Sequence, residues 1–179
     1  VLVGLHLGVA LPHLPIYLHP SVPSQPVTDV YYQDLLGDWP GLTRAAWGFT
    51  VETATQGVRL CLSGVFDKYP KLRFIMGHLG EGIPFLMWRI NMALGRDTGK
   101  RRPFREVFSE HFTITTSGFW SDPALLLCIQ ELGIDRIMFS VDYPFSRNES
   151  AKAFLDGVDL PKDQWEKLAF GNAKALLKL

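Results

Sequence analysis

Cysteine is scarce in this chain: Cys61 and Cys128 are the only two among 179 residues, and each sits in an apolar, helix-like run. A disulfide framework is therefore not expected, and the two read as core thiols of a protein in a reducing cytosol. An excess of charge of either sign is also lacking. Eighteen basic residues balance eighteen acidic ones, so no net field draws the chain to nucleic acid or to an anionic membrane, and a small neutral or locally anionic ligand fits better. No internal repeat or low-complexity tract is evident. A hydrophobic run long enough to cross a bilayer is missing too. Val1 to Pro15 is apolar but too short; it has no basic n-region and is broken by Pro12, which makes it a poor signal peptide.

What is present is an ordinary globular composition, 47% hydrophobic and 20% charged, sufficient for one domain or part of one. Ile16 to His19 is a short β-prone run ending at Pro20, followed by a proline- and serine-containing loop through Pro26. From Thr50 to Phe66, Val51, Ala54, Val58, Leu62 and Val65 recur every three or four residues, the period of a helix that buries one face. Leu72 to Gly77 reads as a strand covered on both faces, with His78 at its C-terminal end. Pro84 suits the first turn of a helix, and Phe85 to Leu94 is apolar almost all round, which predicts a well-buried helix. Phe112 to Thr116 is a third strand, ending at Ser117-Gly118. Ser121 or Asp122 can cap a helix opened by Pro123 and stopped by Gly133; Arg136 to Val141 is a fourth strand ending at Asp142. Helices follow near Asn148 to Leu155 and from Pro161 onward, the last interrupted at Gly171-Asn172.

Strands separated by helices predict an α/β fold with a parallel sheet and right-handed crossovers. Four such units are half of a (β/α)₈ barrel, a complete one taking about 250 residues. His19, His78 and Asp142 stand at the C-terminal ends of three of the predicted strands, which in a barrel is the active-site face. A divalent metal needs N and O donors converging from different strands, and a catalytic acid or base must stand beside the substrate. Any one of these residues alone reads as a structural histidine or a cap; their joint placement is what suggests a site.

Four segments carry a family resemblance: Tyr17-Leu18-His19-Pro20; Trp47 to Thr53; Ser63 to Asp67 running into Gly77-His78-Leu79-Gly80-Glu81; and Phe139 to Phe145. From about Pro15 to the end, the chain resembles the decarboxylase branch of the amidohydrolase superfamily, the enzymes acting on 2,3-dihydroxybenzoate, salicylate and γ-resorcylate. The resemblance implies the C-terminal half of a (β/α)₈ TIM barrel over residues 15–179, with Val1 to Leu14 an apolar leader outside it. It implies one divalent metal ion (zinc, manganese or magnesium) held by His19 and Asp142, a small aromatic carboxylic acid as substrate, and a homo-oligomer, dimer or tetramer, for the full-length relative.

The resemblance also matches His78 to a histidine of the second shell or of proton transfer, Glu81 to the carboxylate beside it, and Arg89 to an arginine near the substrate. It implies proton delivery through Asp142, with His78 and Glu81 in support. By its spacing Glu81 can equally complement the N-terminus of the helix opened by Pro84, and Arg89 can pair with Glu81 rather than with substrate. Trp47, Phe49, Tyr143 and Phe145 are either apolar walls of a site or ordinary core. The family's first-strand motif has no counterpart here; His6 and His13 are the nearest candidates, and Gln56 replaces an expected histidine. Two other readings stay open: a metal-dependent hydrolase of the same superfamily, and a non-catalytic fragment or pseudoenzyme.

Overall fold

The structure, a computed structural model, describes residues 14–98 and 102–179. The leader expectation for Val1 to Leu14, and His6 and His13 with it, falls almost wholly outside the described residues. Four strands, β1 (Ile16–Leu18), β2 (Phe74–Met76), β3 (Phe112–Thr115) and β4 (Ile137–Met138), pair in sequential order, and every pairing is parallel. Between and after them lie α1 (Gln25–Tyr31), α2 (Gly48–Leu62), α3 (Val65–Lys68), α4 (Ile83–Thr98), α5 (Phe104–His111), α6 (Asp122–Leu132), α7 (Asn148–Gly157), α8 (Lys162–Glu166) and α9 (Asn172–Leu177), with a π-helical stretch at Lys167–Gly171. This is the predicted arrangement of half a (β/α)₈ barrel.

Alternate residues of a strand face opposite sides, and here the two sides differ in chemistry. Phe74 and Met76 of β2, Phe112 and Ile114 of β3, and Ile137 of β4 belong to the core shared with the helices. Leu60, Phe66, Met87, Phe108, Leu125 and Leu168 close that core from the helical side. Phe108 stacks on Phe112 with ring centroids 4.7 Å apart, and Phe112 on Phe74 at 5.4 Å. Each such fully buried side chain contributes about 1.5–3 kcal/mol relative to exposure. The opposite, inward face carries Tyr17, Ile75 and Thr113 side by side in register, and beyond them the neighbouring pair Thr115 and Met138. Of these only Tyr17 is exposed.

Several elements differ from expectation. The helix anticipated over Thr50 to Phe66 ends at Leu62, because Gly64 adopts a left-handed φ of 76° and restarts the chain as α3. Its buried positions are Thr53, Gly57 and Leu60, with Leu62 exposed. Packing selected small residues there: a Cβ on Gly57 would come within 2.6 Å of the Met76 methyl. The loop read after Pro20 contains α1, whose first turn accepts Pro26. A whole helix, α5, was not anticipated; it buries Phe104, Val107 and Phe108 and runs into β3 without a loop. The helix predicted to be well buried, α4, is not: Ile83 and Met87 are in the core while Phe85 is 74% and Trp88 67% exposed. It lies on the sheet with one side only, and its apolar outer side has no cover among the described residues.

Both thiols are free, and burial pushes each up to about 12, so they are inert packing groups. No helix of the described residues is long and apolar enough to cross a membrane.

Among the described residues each outer strand pairs on one side only, and Trp47, Phe85, Trp88, Tyr143 and Phe145 are exposed. Open edges and apolar surface of this kind favour pairing with another chain. The chain is therefore expected to self-associate. Sedimentation velocity over a range of concentrations checks this, and a monodisperse monomer throughout would contradict it.

Candidate active site at the strand ends

Because the four strands are parallel, their C-terminal ends share one edge of the sheet. His19 follows β1, His78 follows β2, the Thr116-Ser117 pair follows β3, and Asp142 stands beyond β4. The exposed His19 ring places Nδ1 2.9 Å from the Pro20 carbonyl oxygen. That oxygen can only accept, so Nδ1 carries the proton and Nε2 presents its lone pair.

The segment after β2 is the most unusual backbone in the molecule. His78, Leu79, Gly80, Glu81 and Gly82 all have positive φ, from 47° to 77°. For the three non-glycine residues this left-handed conformation costs roughly 1–2 kcal/mol each, and it persists only where the surroundings over-determine it. Several contacts do so. The Gly80 amide donates to the Gly77 carbonyl at 2.8 Å, Leu79 is buried, and the Cys128 thiol reaches the Leu79 carbonyl at 3.5 Å.

This turn brings Glu81 back onto His78, with Oε1 2.7 Å from Nδ1. The Glu81 side chain is wholly buried, and its Oε2 has no hydrogen-bond partner among the described residues. On the other side of the imidazole, Nε2 lies 3.9 Å from Asp142 Oδ2. Burial alone would lower the pKa of His78, but the hydrogen bond and charge of Glu81, with Asp142 behind them, outweigh it and hold the group above its ordinary value. The carboxylate pair thus favours the imidazolium, which can donate from Nε2 toward Asp142.

Asp142 itself has a left-handed φ of 69°, and its carbonyl accepts from the amides of Phe145 (2.8 Å) and Ser146 (3.0 Å). Its approach to β3 depends on Gly118, where φ is 78° and a Cβ would stand 3.2 Å from the Asp142 Cβ. The Ser117 hydroxyl is 3.5 Å from Asp142 Oδ1, at the limit of a hydrogen bond.

The structure therefore brings His78, Glu81 and Asp142 together. Arg89 lies on the exposed side of α4, and the Glu81 carboxylate is turned onto the His78 imidazole. Trp47, Tyr143 and Phe145 are not core residues but exposed ones. Gln56 hydrogen-bonds Glu52 one turn earlier. A cavity of about 540 Å³ opens among the helices, lined in part by Cys61, Asp67, Asn91 and Arg102; none of the strand-end residues lines it.

The sequence reading overlooked a layer of hydroxyls. Tyr17, Thr115, Thr116, Ser117 and Ser140 form a connected hydrogen-bond network beneath Asp142. The available signal was the run Thr115-Thr116-Ser117 at the one strand end that carries no ionisable side chain.

As a donor set, His19 Nε2 and the half-buried Asp142 carboxylate offer the nitrogen and oxygen that a divalent cation accepts. Among the described residues no group of three or more His, Cys, Asp or Glu side chains is placed to hold a metal ion. In donor chemistry these two side chains suit such an ion.

Comparison with known proteins agrees with this fold. The chain is 39% identical over 173 residues to a γ-resorcylate decarboxylase of Polaromonas sp. strain JS666, covering 93% of this chain and 51% of that protein. Among solved structures, a dihydroxybenzoic acid decarboxylase of the same organism, with bound manganese and the inhibitor 2-nitroresorcinol, superposes with a TM-score of 0.87 at 37% identity, covering 97% of this chain and 52% of that one. The 5-carboxyvanillate decarboxylase of Sphingomonas paucimobilis gives 0.85 at 35% identity, covering 93% and 50%. The chain spans about half the length of the curated relatives it matches. The amidohydrolase family pattern matches residues 9–179, and with four parallel strands whose ends gather His19, His78 and Asp142, the chain belongs to the amidohydrolase family.

Proposed function

We propose that residues 15–179 form the half-barrel unit of a metal-dependent, non-oxidative decarboxylase, a carboxy-lyase of hydroxybenzoate-type aromatic acids. The observation that carries this reading is the pairing of His78 with the buried Glu81 carboxylate, aimed at Asp142 across two strand ends. The manganese and the nitroresorcinol held by the Polaromonas enzyme support both the cofactor class and the aromatic ligand.

Decarboxylation of an aryl acid requires a proton on the ring carbon that bears the carboxylate. Adding it breaks aromaticity; cleavage of the carbon–carbon bond then releases carbon dioxide, and its electron pair restores the ring. In this reading Asp142 Oδ2 delivers that proton, and His78 Nε2–H, 3.9 Å away, resupplies it. Glu81 fixes the imidazole through Nδ1 and stabilises its positive charge. His19, through Nε2, and the Asp142 carboxylate would hold a divalent ion such as manganese, which when bound supplies fixed positive charge to polarise and orient an anionic acid. Arg89, on the exposed side of α4, belongs to the reading only as a contact for the substrate carboxylate. The exposed aromatics at 143 and 145 lie close in sequence to Asp142 and supply apolar surface for a ring.

The direct test is product analysis on a full-barrel form of the protein given 2,3-dihydroxybenzoate, 2,6-dihydroxybenzoate or salicylate with manganese. Carbon dioxide and a phenol are expected; an acid released from an ester, lactone or amide instead would identify a hydrolase of the same family.

Three outcomes are expected of variants and of the chain alone. In the full-barrel form, His78→Asn should lower turnover by roughly two to four orders of magnitude with metal content nearly unchanged; stoichiometric loss of metal would make His78 a ligand. Asp142→Asn should weaken manganese binding and turnover together, since an amide is a poorer ligand for a hard cation and cannot cycle a proton; near wild-type activity would remove Asp142 from the site. The chain 1–179 by itself should bind manganese weakly and release almost no carbon dioxide, because its described residues supply only two donors. Manganese titration followed by paramagnetic resonance, alongside the carbon dioxide assay, measures both.

A further inference from the structure

We propose that Ser140 is the positioning residue for Asp142, acting through a hydroxyl brace that runs across the sheet to Tyr17 on β1. The inference rests on the reading of Asp142 as the proton-delivering and metal-holding group.

The backbone ladder between β3 and β4 gives out early. Its last rung is the Thr116 amide donating to the Met138 carbonyl at 3.1 Å, and four residues beyond Met138 the chain must place Asp142 in a left-handed conformation. Beyond that rung a side chain takes over the pairing. Thr116 Oγ1 donates to the Ser140 carbonyl at 2.7 Å and accepts from the Ser140 amide at 2.9 Å. One hydroxyl thus does what a neighbouring backbone would do, and it holds Ser140 against the end of β3. Thr116 is fully buried, so neither bond competes with solvent.

The Ser140 hydroxyl makes the second half of the brace. Its oxygen accepts from the Ser117 amide at 3.1 Å, and it donates to Thr115 Oγ1 at 2.9 Å. Thr115 Oγ1 in turn lies 3.2 Å from the Tyr17 hydroxyl. That last link passes over the end of β2, where Gly77 leaves the room. A Cβ there would stand 3.1 Å from the Ser117 hydroxyl and 3.5 Å from the Tyr17 oxygen.

Tyr17 and Ser140 each precede a proposed donor, His19 and Asp142, by two residues. The brace therefore fixes how far apart the two donor-bearing strand ends stand. It does this without placing a charge in the inward layer, where an unpaired one would be costly. Ser140, Thr115 and Thr116 touch no reacting atom in this reading; they act through Asp142.

The experiment is hydrogen exchange on the 1–179 chain, read at single amides, for wild type, Ser140→Ala, Ser140→Thr and Thr116→Val, with a parallel titration of the same variants in the full-barrel form by manganese alone. In Ser140→Ala the amides of Ser117, Phe145 and Ser146 should exchange about tenfold faster than in wild type, the loss expected for one or two hydrogen bonds. The amides of Ile75 and Ile114, in the centre of the sheet, should serve as the unchanged reference. Ser140→Thr, which keeps the hydroxyl, should restore protection. Thr116→Val, nearly the same shape, should expose the Ser140 amide to the same degree, which keeps the test decisive if the alanine variant fails to fold. Manganese affinity should fall by about tenfold in Ser140→Ala and Thr116→Val and recover in Ser140→Thr. Acceleration spread evenly over the chain, or none at all, would overturn the brace. Local acceleration in the variants, together with a wild-type full-barrel form that binds no manganese, would leave the brace standing and overturn the metal reading of Asp142.

Discussion

The parallel direction of the four strands is the constraint on which everything else depends. Parallel pairing requires each strand to be reached by a crossover, which places the helices on one face and brings every strand's C-terminal end to the same edge. The core follows from it: Phe74, Met76, Phe112, Ile114 and Ile137 point to the helices because their strands share a register. So does the site. His19, His78 and Asp142 lie far apart in sequence, yet each leaves a strand at that common edge. An antiparallel sheet built from the same strands would scatter them to opposite ends.

Within that frame the turn after β2 decides the electrostatics. Five consecutive residues in the left-handed region form a tight reversal that no ordinary strand-to-helix loop needs, and its result is a carboxylate placed under the imidazole it follows by three residues. A fully buried Glu81 with one unpartnered oxygen is tolerable only beside a positive group. The same contact holds His78 toward its protonated form. Backbone strain, carboxylate burial and the histidine charge state are therefore one device. It is anchored from the helical layer by Leu79 in the core and by Cys128, a thiol whose high pKa leaves it no chemistry of its own.

The surface shows the other side of the fold's economy. The helix α4 is apolar around most of its circumference, but a helix lying on the outside of a sheet can bury only the side that meets the sheet and its neighbours. Phe85, Trp88, Tyr143 and Phe145 remain in solvent. Periodicity records which residues are apolar; whether a second layer lies over them is a property of the assembly.

What the sequence by itself determined is whatever local physics encodes. The continuous apolar run into His78 gave β2, the β-branched run Phe112 to Thr116 gave β3, and Ser121, Pro123 and Gly133 bounded α6 almost to the residue, because strand burial and helix termini are written in neighbouring residues. The same locality made His19, His78 and Asp142 legible as strand-end groups, and Glu81 legible as a partner three residues beyond a glycine turn. Only the tertiary structure decided the rest. α5 escaped notice because its apolar stripe is short and gains meaning from the Phe104–Phe108–Phe112 stack it joins. The burial of Gly57 depends on Met76 from another element. The face of α4 that Arg89 occupies is set by how that helix packs. The hydroxyl layer under Asp142 joins β1, β3 and β4, and no single stretch of sequence can show that Tyr17, Thr115 and Ser140 meet, because hydrogen bonds between strands are fixed by register and by folding rather than by neighbours along the chain.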